Sequence, residues 1–405
     1  MPPDPIEHTM QPYVTIVAPS VGPEVSAESA ARRLRDARRP GVASLVGERL
    51  RTLDEHRRQL RRLIGRIKDD GTDGRLKLRE LTALHGQAVE ALQISNLLFR
   101  ELDGDRLQSP QLVPSAVIDE LLAESARLLD RIERQLWLLD ALEDYAALLR
   151  HCFDELQAGG AVASGRFQQL ARRIGIDAER SGDRGFLRLE PGLSLEGILD
   201  RKNEPGPSAA CVTGIESARL VAWMTRSSPG LTPRREILVI AALLQDAGLF
   251  TVCRRNRTSV DALFEARPSL FREHPAIGAA LAGGLAEHQL ELPVLIAQHH
   301  ERLDGTGFPR RLSSRRLSRE SRILAVASRY SELAGGLDAP SSAAAKSHRR
   351  SHFGSGHTAE SQLYREAEQG ELDLPMTRHL LSSLGFELRE EREFSPFGFR
   401  VDSAH

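Results

Sequence analysis

The chain has 405 residues and a formal net charge of −1, with hydrophobic residues at 40% and charged residues at 27%. That balance suits two or three soluble globular domains and gives no global attraction to nucleic acid or to an anionic membrane. Three cysteines, Cys152, Cys211 and Cys253, stand far apart with no CxxC spacing, which argues against a disulfide framework or a thiolate zinc site. Aromatic residues are only 5% while Leu, Ala, Arg and Glu abound, so the expected fold class is all-α. Apolar runs such as 237–244 fall short of a bilayer span. No basic region followed by an apolar one opens the sequence. The expectation is a cytoplasmic protein with neither membrane nor nucleic acid as a partner.

Residues 1–42 hold seven prolines, from Pro2 to Pro40, and no apolar period, which predicts a disordered tail. From 43 to 160 the spacing changes. Val46, Leu50, Leu53, Leu60, Ile64 and Ile67 fall on alternating steps of three and four, with Arg57 as the one break, and so predict a helix over 43–68. A turn at 69–74 and a second helix over 75–102 come next, with Leu78, Leu81, Leu84, Ala88, Leu92 and Phe99 facing inward. A long third helix is expected over 115–157, capped by Ser115 and ended by Gly159 and Gly160. Such seams make a helical bundle or a dimeric coiled coil. One reading is a module for a protein partner or a second copy; the other is a subdomain packed on the later helices of the same chain. His85 and Trp137 are assigned to packing.

Residues 161–207 form a connecting segment with a short helix around Phe167–Ala171. From 208 to 338 the sequence predicts helices over 210–226, 232–245, 268–285, 293–300 and 318–334. The second is apolar nearly all round and should be buried. Residues 339–358 are rich in Ser, Ala and His; His348 and His352 lack an apolar face beside them, and a linker is expected. A single helix over 359–383 and a tail with a strand near Phe394–Val401 should complete the 359–405 segment.

The chemistry concentrates at 299–309, which reads HHERLDGTGFP. Imidazoles at a helix end suit a divalent metal. Gly305 and Gly307 permit a sharp turn, and Pro309 stiffens its exit. The stretch resembles the HHExxDGxGYP signature of HD-GYP domains, with Phe308 in place of tyrosine. Upstream, HPAIG at His274 and LLQDAGL at 243–249 resemble two further family motifs. His274 follows Gln245 by 29 residues and His299 follows His274 by 25, the family's own separations.

The resemblance implies an HD-type helical bundle, preceded here by a long-helix, coiled-coil-like region. It also implies a metal-dependent phosphodiesterase of cyclic di-GMP that uses iron or manganese. Residue by residue, Asp246 would be the catalytic, metal-bridging carboxylate, and His274, His299 and His300 would complete a metal site. Asp304, Gly305, Gly307, Phe308, Pro309, Arg310 and Arg311 would face the substrate, with Arg315, Arg316, Arg319 and Arg322 as further basic groups. Thr213, Gln245 and Ser328 stand where the family has His, His and Asp, and Leu249 replaces a phosphate-facing lysine. The missing groups belong to one metal position, so the sequence predicts one ion or none. It further predicts impaired or absent hydrolysis in a signalling or scaffold module. The alternatives are an active enzyme, with Glu216 or Glu332 swinging in as substitute ligands, and a receptor that binds cyclic di-GMP without cleaving it.

Overall fold

The computed structural model describes residues 14–17, 32, 52, 54–65, 86, 88–97, 100, 115–158, 164–181, 186–187, 207–226, 228, 230–284, 290–335 and 358–390. Residues 54–65 and 88–97 are helical. The labelled helices are α1 (Ser115–Gln157), α2 (Ser164–Arg180), α3 (Pro207–Arg226), α4 (Arg235–Leu244) and α5 (Ala247–Asn256). They continue with α6 (Val260–Ala266), α7 (Pro268–Ala282), α8 (Leu292–Gln298), α9 (Arg319–Gly335), α10 (Ala359–Glu368) and α11 (Leu374–Ser383). The fold class is all-α, as the composition predicts.

Three details differ from the sequence expectations. Val14–Val17, placed in a tail without structure, pairs antiparallel with Glu387–Glu390, Val14 opposite Glu390 and Val17 opposite Glu387. Apolar alternation in Val14, Ile16 and Leu388 supplies the pattern. The helix expected over 359–383 is two helices. Gly370 adopts a positive φ of 79°, which ends α10, and the Asp373 side chain accepts from the Met376 amide to start α11, with Pro375 in its first turn. The segment read between 245 and 268 without named helices carries α5 and α6. The predicted turn at 69–74, the capping role of Ser115, Gly159, Gly160, His85, His348, His352 and the Phe394–Val401 strand lie outside the described residues or side chains.

One apolar core runs through most of the molecule. Leu60, Ala88, Ile132, Leu139 and Phe153 of the early helices share it with Ile174 of α2, Ile215 and Val221 of α3, Leu243 of α4, Ile296 of α8, Val326 of α9 and Leu380 of α11. Trp137 packs against it, as expected. The long N-terminal helices are therefore packed on the later bundle. Among the two readings offered for them, the packed subdomain describes the contacts of the single chain. The segment Thr232–Asn256 is long and apolar enough to cross a bilayer by composition, but 89% of its most apolar 18 residues is buried in the bundle, as for a core helix. Its first half is α4, whose residues from Leu238 to Leu244 are all buried. That central helix delivers Gln245 and Asp246 to the interior.

Candidate metal centre

Asp246 sits at the junction of α4 and α5, where the backbone leaves helical geometry for one residue (φ −101°, ψ 12°). Two residues on, Gly248 allows α5 to cross α7 at backbone contact. A Cβ there would collide with the His274 carbonyl and lie 2.7 Å from the Gly278 amide. This crossing brings Asp246 to His274, and only glycine permits it. His299 and His300 come directly after the short α8. Asp246, His274, His299 and His300 each present a ligand atom, and these atoms all lie within 4.8 Å of one another. The expected cluster is assembled.

The ring orientations are fixed from behind. Nδ1 of His274 lies 2.6 Å from the Phe271 carbonyl, and Nδ1 of His299 lies 2.7 Å from that of Ile296. A carbonyl only accepts, so both Nδ1 atoms carry the hydrogen and donate. The two Nε2 atoms then turn lone pairs toward each other at 3.3 Å. Asp246 Oδ1 is 3.3 Å from His274 Nε2 and 3.8 Å from His299 Nε2. Three buried acceptors that converge without a donor require a positive charge among them, either a proton or a metal ion. Three imidazoles and one carboxylate are a suitable donor set for iron, manganese or zinc.

The electrostatics agree. Burial pushes the Asp246 carboxyl up, but its contacts with His274 and His299 outweigh this and hold it below its ordinary value. Burial lowers His299 to about 4, against the pull of Asp246. Burial, reinforced by the other two imidazoles, also holds His300 well below its ordinary value. His299 and His300 are thus neutral near pH 7, the state in which imidazole ligates metal.

The opposite wall is chemically different. Gln245 is fully buried, and its Nε2 donates to Ser217 Oγ at 3.2 Å and to Asp246 Oδ2 at 3.4 Å. Ser217 Oγ donates to Ser331 Oγ at 3.1 Å, and Ser331 Oγ to the Ala327 carbonyl at 3.1 Å. Thr213 and Ser328 are buried one helical turn before Ser217 and Ser331, on the same faces of α3 and α9. Gln245 Oε1 and Ser328 Oγ have no protein hydrogen-bond partner. All five are neutral donors and acceptors. Sequence reasoning named Thr213, Gln245 and Ser328 but missed Ser217 and Ser331. Their spacing of four and three residues from the named positions was the available signal. Leu249 is buried among Val252, Cys253 and Leu263.

Of the two carboxylates considered as substitutes, Glu332 reaches the centre's edge. Its Oε1 lies 3.4 Å from His300 Nδ1, and its Oε2 accepts from Arg329 at 3.2 Å. Glu332 is not among the four residues of the cluster itself.

The HHERLDGTGFP turn closes over the histidines. Glu301, almost fully buried, accepts from the Arg310 and Leu312 amides at 2.7 Å each and so ties the turn's exit to its entry. Asp304 accepts from the amide and hydroxyl of Thr306, at 2.9 and 2.7 Å, and Gly305 adopts φ 81°. A Cβ on Gly307 would strike the backbone of His300, Glu301 and Arg302. These contacts fold Phe308 back so that its ring stacks on His300, centroids 4.4 Å apart. Pro309 follows a cis peptide. Arg310 and Arg311 are exposed beside the turn, as are Arg315, Arg316 and Arg319. Arg322 is committed elsewhere: it donates to the Ser314 and Leu317 carbonyls and pairs with Asp373.

Parts of the chain are similar to known proteins. Residues 199–353 match the family model described as an HD domain. The chain is 31% identical over 121 residues to the cyclic di-GMP phosphodiesterase response regulator RpfG of Xanthomonas campestris, covering 29% of this chain and 32% of that protein. It is 30% identical over 92 residues to the cyclic di-GMP phosphodiesterase PdeB of Borreliella burgdorferi, covering 23% and 24%. The chain thus spans a third or less of the length of these curated relatives. A solved structure, Bd1817, an HDG"Y"P protein from Bdellovibrio bacteriovorus, aligns over 65% of this chain and 80% of its own at 14% identity and a TM-score of 0.41. The likeness to an HD domain is thus confined to residues 199–353.

Proposed function

We propose that this domain is a one-sided remnant of a two-ion phosphodiesterase. It would hold a single divalent ion on Asp246, His274, His299 and His300, and it would hydrolyse cyclic di-GMP slowly or not at all. The observation that carries this reading is the contrast across Asp246. One side offers two imidazoles to its Oδ1, with His300 beside them; the other offers the Gln245 amide to its Oδ2. An amide NH2 that donates to Oδ2 competes for a carboxylate oxygen that a second ion would need. A hydroxyl and amide wall also lacks the charge that such an ion needs.

A bound divalent ion acts as a Lewis acid and lowers the pKa of water. Around it, the chain's own residues set orientation. Phe271 and Ile296 aim two imidazoles through their carbonyls, and Phe308 covers the third. Exposed Arg310 and Arg311 suit bidentate contact with phosphate oxygens, the role that fits them in binding a cyclic dinucleotide. Leu249 offers no charge to a phosphate, and loss of one such electrostatic donor costs about 3 kcal/mol of barrier. The protein would then act as a cytoplasmic signalling or scaffold module, with its N-terminal helices as the surface for a protein partner or second copy.

The rival reading is an active enzyme, and Glu332 beside His300 is the observation in its favour. Manganese- or iron-loaded protein incubated with cyclic di-GMP decides between them. Turnover comparable to that of an intact family enzyme contradicts our reading; calorimetric binding without turnover identifies a receptor.

A further inference from the structure

The helix pair α10–α11 lies beyond the segment that matches the HD family, which ends at residue 353. It nevertheless sends one buried carboxylate toward the metal centre. Glu366 on α10 is 4% exposed. Its two oxygens accept a bidentate pair from Arg329, 2.8 Å from Nε and 2.6 Å from Nη2. The third nitrogen of that guanidinium, Nη1, donates to Glu332 Oε2 at 3.2 Å. The other oxygen of Glu332 is 3.4 Å from His300 Nδ1. The path from α10 to a ligand of the centre therefore consists of three side-chain contacts, Glu366 to Arg329 to Glu332 to His300.

We propose that Glu366 is a positioning residue for the metal centre, acting through Arg329 and Glu332 to fix the ring of His300. The inference rests on the reading that the cluster holds a metal.

Three physical points support it. Nδ1 of His274 and His299 is anchored by a backbone carbonyl within the residue's own helix turn, whereas for His300 the polar group at Nδ1 is the Glu332 side chain. A flexible carboxylate orients an imidazole well only if it is itself held, and the planar guanidinium of Arg329 provides a fixed fork. Arg329 in turn is held by Glu366, which also accepts from Gln362 Nε2 at 3.0 Å and faces Arg302 at 3.5 Å. Its carboxyl is pushed up by burial, but the Arg329 hydrogen bonds and charge outweigh this and hold it below its ordinary value. The helix cannot drift, because Leu363, Tyr364 and Ala367 of α10 are in the core and Tyr330 donates to Glu360 at 2.8 Å.

The test is a cobalt(II) titration of the whole chain, read by the ligand-field absorption of bound cobalt. Wild type should bind with a spectrum that His299→Ala abolishes. Glu366→Ala should bind about tenfold more weakly with a changed spectrum, within the range lost when an outer partner of a ligating histidine is removed. Glu366→Gln, which keeps the shape, serves if the alanine variant does not fold. The discriminating step is a double-mutant cycle: in a Glu332→Ala background, the Glu366 substitution should have no further effect on cobalt affinity. Glu371→Ala removes a carboxylate that pairs with Arg302 outside the path and should leave affinity unchanged. Additive losses at 366 and 332, or an equal loss in Glu371→Ala, overturn the positioning role while leaving the metal site standing. A wild type that shows no cobalt spectrum, or one that His299→Ala leaves intact, overturns the metal reading itself and this inference with it.

Discussion

The two walls that flank Asp246 are equally buried and solve the same problem in opposite ways. On one, His274 and His299 have their Nδ1 hydrogens committed to carbonyls, and their remaining lone pairs face each other and Asp246 Oδ1. On the other, Gln245, Ser217 and Ser331 pass hydrogen bonds from one to the next and end on a backbone carbonyl. The first arrangement is satisfied only by an added cation. The second is largely satisfied by itself, because hydroxyls and amides both donate and accept. A wall with its own donors does not depend on an ion, although Gln245 Oε1 and Ser328 Oγ are left without a protein partner. On the proposed reading, Gln245, Thr213 and Ser328, where the resembled family has His, His and Asp, make that half of the site neutral core.

The comparison breaks most visibly at the histidines. His299→Ala should remove metal binding, with a loss beyond the roughly 10- to 100-fold typical of an outer partner, measured by manganese calorimetry. Retained affinity would mean that the ion sits elsewhere. Next comes the backbone crossing. Gly248→Ala puts a methyl into the His274 carbonyl and should cost about 3 kcal/mol in urea denaturation, at the upper end for overpacking, and weaken metal binding with it.

Acid should act on the same wall. His299 is buried neutral, with its pKa lowered from 6.5 to about 4. The unfolded chain therefore binds the extra proton first as pH falls. Stability of the metal-free protein is fully present above about pH 6.5 and is lost between there and pH 4, on the order of 3 kcal/mol. A flat stability profile over that window would show that His299 is not neutral in the fold. The smallest effect belongs to the opposite wall. Gln245→Leu removes the amide donor and should change stability by about 1 kcal/mol, with metal affinity on the histidine wall unchanged within a few-fold.

Much of this was legible in the sequence. The four clustered residues, the long helix Ser115–Gln157 and the burial of the 238–244 run come from motif spacing and apolar period. What escaped has physical causes. The break at Gly370 is a single left-handed residue inside an otherwise helical composition, and a cap at Asp373 outweighs periodicity there. The pairing of Val14–Val17 with Glu387–Glu390 joins segments at the two ends of the chain, a separation that no local pattern encodes. The path from Glu366 to His300 depends on how α10 docks on α9, and surface-like Glu and Arg residues on two helices do not announce that they meet. The basic run after the turn was over-read at Arg322, which the fold uses to hold Asp373 and two carbonyls.

The most direct test of the central claim is metal stoichiometry by elemental analysis, after reconstitution with excess manganese or iron and removal of free ion. Wild type should retain one ion per chain, and the variant carrying Thr213→His, Gln245→His and Ser328→Asp together should retain two. Two ions in the wild type would contradict the account, since the hydroxyl and amide wall would then be holding a metal that its chemistry should refuse.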